Sequence, residues 1–147
     1  MVPIRLLLVR ALGVALLGFP VPMAGCAPTA DLRAERVWVR AGDAGTNTGG
    51  YLTLINDAVD PVDLVAVSGD CATSVDMHET VREGARVSMR HVERFTVPAR
   101  GRLDFGPGGN HLMLTGLRVS LLVGSRVPLI LHFGNGRQLV VRAEVRS

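Results

Sequence analysis

Val127-Pro128-Leu129-Ile130-Leu131-His132-Phe133-Gly134-Asn135-Gly136-Arg137-Gln138-Leu139-Val140-Val141-Arg142-Ala143-Glu144-Val145 is the stretch whose reading decides the fold. Two runs rich in Val, Leu and Ile flank Gly134-Asn135-Gly136, which predicts two antiparallel strands joined by a short turn. Branched apolar side chains suit a pleated, half-buried surface, and Gly and Asn accept the positive φ of tight hairpin loops. The same pattern extends backward through the chain. Val37-Trp38-Val39, Tyr51 to Ile55 and Val62 to Val67 are further short apolar or alternating runs. Gly45 to Gly50 reads as a loop, and Asn56 to Pro61 and Pro107-Gly108-Gly109-Asn110 read as turns. No segment holds a helical period over three turns. Seven or more short strands at this spacing predict an all-β chain, an antiparallel β-sandwich of Greek-key type.

Composition narrows what such a domain can do. The chain has 147 residues, enough for one domain with its own core, and it is 48% hydrophobic but only 4% aromatic, so Val, Leu and Ala must fill that core. The net charge of +3 comes from 16 basic residues, all Arg, against 13 acids. Residues 1–25 carry Arg5 and Arg10, so the remainder is nearly neutral and has no basic stripe; nucleic acid is not an expected partner.

Residues 1–25 read as a signal peptide outside the fold. Arg5 and Arg10 make a positive start, Ala11 to Phe19 is apolar, and Pro20 and Pro22 break the segment before small residues appear. The apolar run falls well short of the roughly 20 residues that cross a bilayer. Met23-Ala24-Gly25-Cys26 resembles the bacterial lipoprotein cleavage box, which would make Cys26 the acylated first residue, although Met23 stands where Leu is usual. Pro28 disfavours cleavage after Ala27, yet simple secretion stays open. Residues 26–34 then form a tether and 35–147 the functional domain, located outside the cytoplasm and attached to the membrane through Cys26. Cys71 is the other cysteine. It reads as a small buried residue, or as an auxiliary copper or redox group; a disulfide to an unacylated Cys26 is also open.

His78, Met89, His111 and Met113 carry the chemistry. Their order is His, ten residues, Met, twenty-one residues, then His-x-Met. Thioether sulfur is a soft donor and imidazole a borderline one, so this carboxylate-free set suits Cu(I), one ion per chain, and disfavours magnesium, calcium and manganese. A single Met in a strand is usually core filler and a single His usually a hydrogen-bonded residue. Outside the leader, however, only three Met and four His remain, and two of each fall in this motif. A hairpin turning between Glu83 and Gly84 would pair positions that sum to 167, setting His78 opposite Met89 and Asp76 opposite His91 on one face. Asp76 and His91 are therefore candidate supports of the ligands, with His91 also a spare ligand or a plain surface residue. Glu79 alternates away from His78 and is not counted. His132, beside the last turn, reads as solvated, and Trp38 and Tyr51 read as core anchors.

These residues resemble those of the PCuAC-type periplasmic copper chaperones. The similarity covers roughly Val37 to Val145: Trp38-Val39-Arg40, Gly50-Tyr51-Leu52, His78-Glu79, Gly108-Gly109-Asn110-His111-Leu112-Met113 and Pro128-Leu129-Ile130-Leu131-His132-Phe133 all fall where that family has similar words. The resemblance implies a monomeric cupredoxin-like sandwich that holds one Cu(I) in a shallow surface site. It also implies that the copper is supplied for cytochrome c oxidase assembly, to an oxidase subunit or another copper chaperone. Cys71 and His91 lie outside the family's motif.

Other classes fit less well. An electron-transfer cupredoxin needs a Cys thiolate close to a following His and Met near the chain end, whereas Cys71 precedes His78. Gly-x-Ser-x-Gly, His-Glu-x-x-His and paired-carboxylate signals are absent, so an enzyme is not expected. An adhesion module without metal leaves the four ligands unexplained, and a copper-storage or resistance lipoprotein remains the alternative. The anchor is tested by Cys26→Ser. This change should turn a membrane-associated protein into a soluble one or leave an unprocessed precursor, read by fractionation; an unchanged soluble distribution in both forms rules the anchor out.

Overall fold

Alternating strands leave one apolar face each, and these strands bury it by folding a sheet over itself. The structure, a computed structural model, describes residues 31–147; the leader 1–25 and Cys26 lie outside the described residues. Ten strands follow in chain order: β1 (Leu32–Arg40), β2 (Thr48–Asn56), β3 (Val62–Ser68), β4 (Ala72–Glu83), β5 (Arg86–His91), β6 (Phe95–Val97), β7 (Gly101–Phe105), β8 (His111–Leu117), β9 (Arg126–Phe133) and β10 (Gln138–Arg146). They are hydrogen-bonded in the order β5-β4-β8-β2-β1-β10-β9-β3-β6, with β7 on β2. One edge of β2 serves two partners, its start pairing β8 and its remainder β7. β3 packs against β4 and β6 against β7 across the interior, which closes the sandwich.

The core is as poor in aromatics as the composition requires. Leu52, Leu54, Leu64, Leu112, Leu114, Leu129 and Leu131 are its largest fully buried side chains with Val39, Val97 and Val145. Phe95 and Phe105 add an edge-to-face pair with ring centres 5.0 Å apart.

The all-β sandwich expected from the sequence forms, with informative departures. β1 and β10 pair in parallel, from Trp38 opposite Glu144 to Arg40 opposite Arg146, so the sheet is mixed and not wholly antiparallel. Nothing local sets the direction of strands so distant in sequence. β1 begins at Leu32, inside the segment read as a tether, because Leu32 is a buried core residue that pairs with Asn56. Thr48 to Gly50, read as part of a loop, open β2. A Cβ on Gly50 would meet Leu114, Val39 and Leu112 at 3.2–3.4 Å, so glycine here reflects crowding between layers and not a turn. Trp38 and Tyr51 are half-buried rather than core anchors, since Val39 and Leu52 take the inward positions beside them. They stack across β1 and β2 on the outer face with ring centres 4.4 Å apart.

The β4–β5 hairpin differs by one residue from the expected turn. Glu83 pairs with Arg86, leaving Gly84 and Ala85 as the loop, and Gly84 has φ 61°. A two-residue hairpin loop needs positive φ at its first position, which Gly supplies without steric cost. His78 therefore faces His91, not Met89, and Met89 faces Thr80. The shift moves each partner by two residues, so all remain on the expected face.

Leu112 is fully buried between His111 and Met113 and reports on this packing. Leu112→Ala should destabilise the domain by about 2–5 kcal/mol in urea unfolding. A change below about 1 kcal/mol would show that β8 is not packed over the core.

Candidate metal centre

Strand alternation puts the chemistry on the outer face. In the β4–β8 ladder Met77 faces Leu112, both buried in the core, so their neighbours His78 and His111 face each other on the other side. Asp76 faces Met113 one step along, and Met113 faces Gly49 of β2. β5 adds His91 opposite His78 and Met89 opposite Thr80. The ring centres of His78 and His111 are 5.6 Å apart, and those of His78 and His91 are 5.8 Å apart, both edge-to-face. Met89, His111 and Met113 line one open cleft of about 640 Å³ together with Tyr51, Thr80, Arg40 and Arg82. The His78 ring stands against that of His111 at its edge.

The nitrogens are prepared for a ligand role. His111 is only 5% exposed. Its Nδ1 lies 3.0 Å from the Gly109 carbonyl, which can only accept, so Nδ1 carries the proton and Nε2 keeps a free lone pair. The same carbonyl accepts from the Thr80 amide at 3.2 Å and the Thr80 hydroxyl at 3.1 Å, fixing the turn before β8 to β4. His111 Nε2 and His78 Nδ1 are the buried side-chain polar atoms without a hydrogen-bond partner among the described residues. Leaving such an atom unpaired costs about 1–3 kcal/mol. A metal ion that accepts both lone pairs removes that cost.

Burial lowers the His78 pKa below the ordinary imidazole value, and His111 and then His91 push the same way while the Asp76 carboxylate opposes them. The ring thus stays neutral, and available to a metal, into more acidic solution. Among the described residues no three His, Cys, Asp or Glu side chains converge to hold a metal. Met89 and Met113 are the soft donors that the same face adds to its imidazoles.

The shifted turn gives His91 to His78 and so takes it from Asp76; on the other edge of β4 Asp76 faces Met113, and it accepts from the Ser74 hydroxyl at 3.0 Å. Glu79 is ion-paired with Arg90 on the opposite face of the hairpin. Cys71 is buried in the turn before β4, at the far end of that strand from the hairpin, and burial raises its thiol pKa. It supplies no thiolate to the cleft. His132 Nε2 pairs with the Ser68 hydroxyl at 2.8 Å. Tyr51 is the contributor that sequence reasoning missed. A Cβ on Gly49 would lie 2.6 Å from the Tyr51 hydroxyl, so the missing side chain at Gly49 makes room for the phenol beside Met113. The alternation Gly49-x-Tyr51 carried that signal.

Comparison with known proteins follows this geometry. Residues 32–145 match the family described as "Putative lipoprotein LpqE-like". The chain is 30% identical over 150 residues to "Putative lipoprotein Lxx21020" of Leifsonia xyli subsp. xyli, covering 98% of this chain and 90% of the relative. The solution structure of CuI-DR1885 from Deinococcus radiodurans is 35% identical with a TM-score of 0.63, covering 84% of this chain and 81% of that one. The copper-bound PCuAC domain from PmoF2 has a TM-score of 0.67 at 24% identity, covering 80% and 93%. The fold that the sequence resemblance implied is therefore the fold observed.

Protons and metal compete for the two imidazoles. Cu(I) affinity should fall with a steepening slope in acid, and because the His78 pKa is lowered its share of the fall should begin at a lower pH than an ordinary imidazole's. His78→Ala or His111→Ala should halve that slope in a chelator-competition titration. An affinity that does not fall at any acid pH at which the protein stays folded excludes the imidazoles as ligands.

Proposed function

Because the chain belongs to the LpqE-like family and has the PCuAC fold, we propose that it is a copper carrier, not an enzyme, working outside the cytoplasm. The observation that carries this reading is the pair of buried, unpartnered imidazole nitrogens on the face that also bears two thioethers. The cargo is one Cu(I), held by His78, Met89, His111 and Met113. All four donors are neutral, so the ion keeps its single charge and lacks the grip of thiolates, which favours release.

The chain's own residues divide the work. The Gly109 carbonyl holds the His111 ring so that Nε2 presents its lone pair. Met113 is half-buried against β2, whereas Met89 is 61% exposed on the edge strand β5. Met89 is thus the donor an incoming partner ligand can replace first. An exposed, replaceable donor favours transfer over storage. The acceptor is a copper-binding oxidase subunit or another copper chaperone, and cytochrome c oxidase assembly is the process served. A lipid on Cys26 anchors the monomer to the membrane, in keeping with the lipoprotein descriptions of its family and its Leifsonia relative.

Thioether replacement separates site from fold. Met89→Leu and Met113→Leu preserve volume and apolarity and should change stability by less than about 1.5 kcal/mol. Cu(I) binding should weaken by at least about tenfold, and the wild-type protein should bind Zn(II) far less well than Cu(I), because zinc gains little from thioethers. Wild-type Cu(I) affinity in both variants, or comparable zinc affinity, overturns the proposal.

A further inference from the structure

His91 is left over from the Cu(I) site, yet it faces His78 as squarely as His111 does. We propose that His91 is a copper ligand in its own right, and that the row His91, His78, His111 takes Cu(II), while the thioethers serve Cu(I). This rests on the reading of His78 and His111 as copper ligands.

Register carries the first part of the argument. His78 is the direct cross-strand partner of His91 on β5 and of His111 on β8, so the three imidazoles form one row across three strands on one face. Neighbouring ring centres are 5.8 and 5.6 Å apart. With metal–nitrogen bonds of about 2.0 Å, two imidazoles on one ion place their ring centres about 4.5 Å apart at a right angle and about 6.3 Å apart when opposed. Both spacings lie inside that range. The three rings do not converge as they stand, so the ion must draw the outermost one in. His91 is exposed and His111 buried, which leaves the outer ring free to turn about its side-chain bonds and the inner one fixed.

Donor chemistry carries the second part. Imidazole nitrogen suits Cu(II) and thioether sulfur suits Cu(I), and at a nitrogen site Cu(II) binds more tightly than the other divalent first-row ions. The two thioethers flank the row and are not members of it. Met89 lies one same-face step to one side of the row, opposite Thr80, and Met113 one step to the other, opposite Asp76. A Cu(II) ion on the row is therefore not forced against sulfur. Asp76 adds a carboxylate two residues from His78 on this face, which compensates the second positive charge. The row also runs from solvent inward, from the exposed edge strand to the buried His111, giving an ion a path onto the face without backbone movement.

The test compares oxidation states in one variant. The purified protein and its His91→Gln form are titrated with Cu(II) sulfate, followed by electron paramagnetic resonance, and separately with Cu(I) under reducing conditions. Loss of His91 should weaken Cu(II) by at least about tenfold and remove one nitrogen from the spectrum, with Cu(I) affinity changed less than about threefold. An unchanged Cu(II) affinity and spectrum overturns the proposal, as does an equal loss in both oxidation states or a loss confined to Cu(I). Failure of the carrier reading shows elsewhere, as a wild-type protein that does not retain Cu(I) or a Met113→Leu form that retains it fully.

Discussion

The contact on which the rest depends is the apolar pair Met77 and Leu112, opposed across β4 and β8 on the core side of the sheet. Burying side chains of this size is worth about 1.5–3 kcal/mol each. A one-residue slip of either strand would turn these groups out and bury an imidazole in their place. The hydrophobic effect thus sets the register, and the register puts His78 against His111 on the other face. The ligands are positioned by residues that never touch them.

An outward-facing site is ordinarily a wet one, and this one is dry only around His111. His111 lies under cover, only 5% exposed, and the Gly109 carbonyl accepts from both its ring and the Thr80 hydroxyl. Beside it, burial disfavours the charged form of the His78 ring and keeps that imidazole neutral into more acidic solution. The same cover ends at β5, where Met89 stands in solvent. One half of the site is pre-organised and the other is open, an arrangement suited to an ion that must arrive and leave.

The outer face extends beyond the proposed copper ligands. Trp38 and Tyr51 continue it across β1 and β2, with the Arg146 guanidinium 5.7 Å from the Trp38 ring centre, and Arg40 and Arg82 border the cleft. Glycine at position 49 leaves room for the Tyr51 hydroxyl next to the backbone that pairs with Met113. This platform needs no core role for its aromatics. The aliphatic interior is filled without them.

Local chemistry determined much of this protein. Val- and Leu-rich runs bounded by Gly, Asn and Pro specified the strands, as at Val127 to Val145, because backbone preference and alternation act over a few residues. The spacing of His78, Met89, His111 and Met113 named the candidate donor set, since ligand softness belongs to each side chain alone. Parity along β4 also identified which residues share a face. Tertiary structure decided the rest. The partner of His78 depended on whether the turn centred before or after Gly84, a difference of one residue whose energy is small beside the packing of the whole sheet. The parallel β1–β10 pair, the exchange of β8 for β7 along β2, and the burial of His111 all arise between segments far apart in the chain. Only a closed core, in which each layer restricts the next, fixes such contacts.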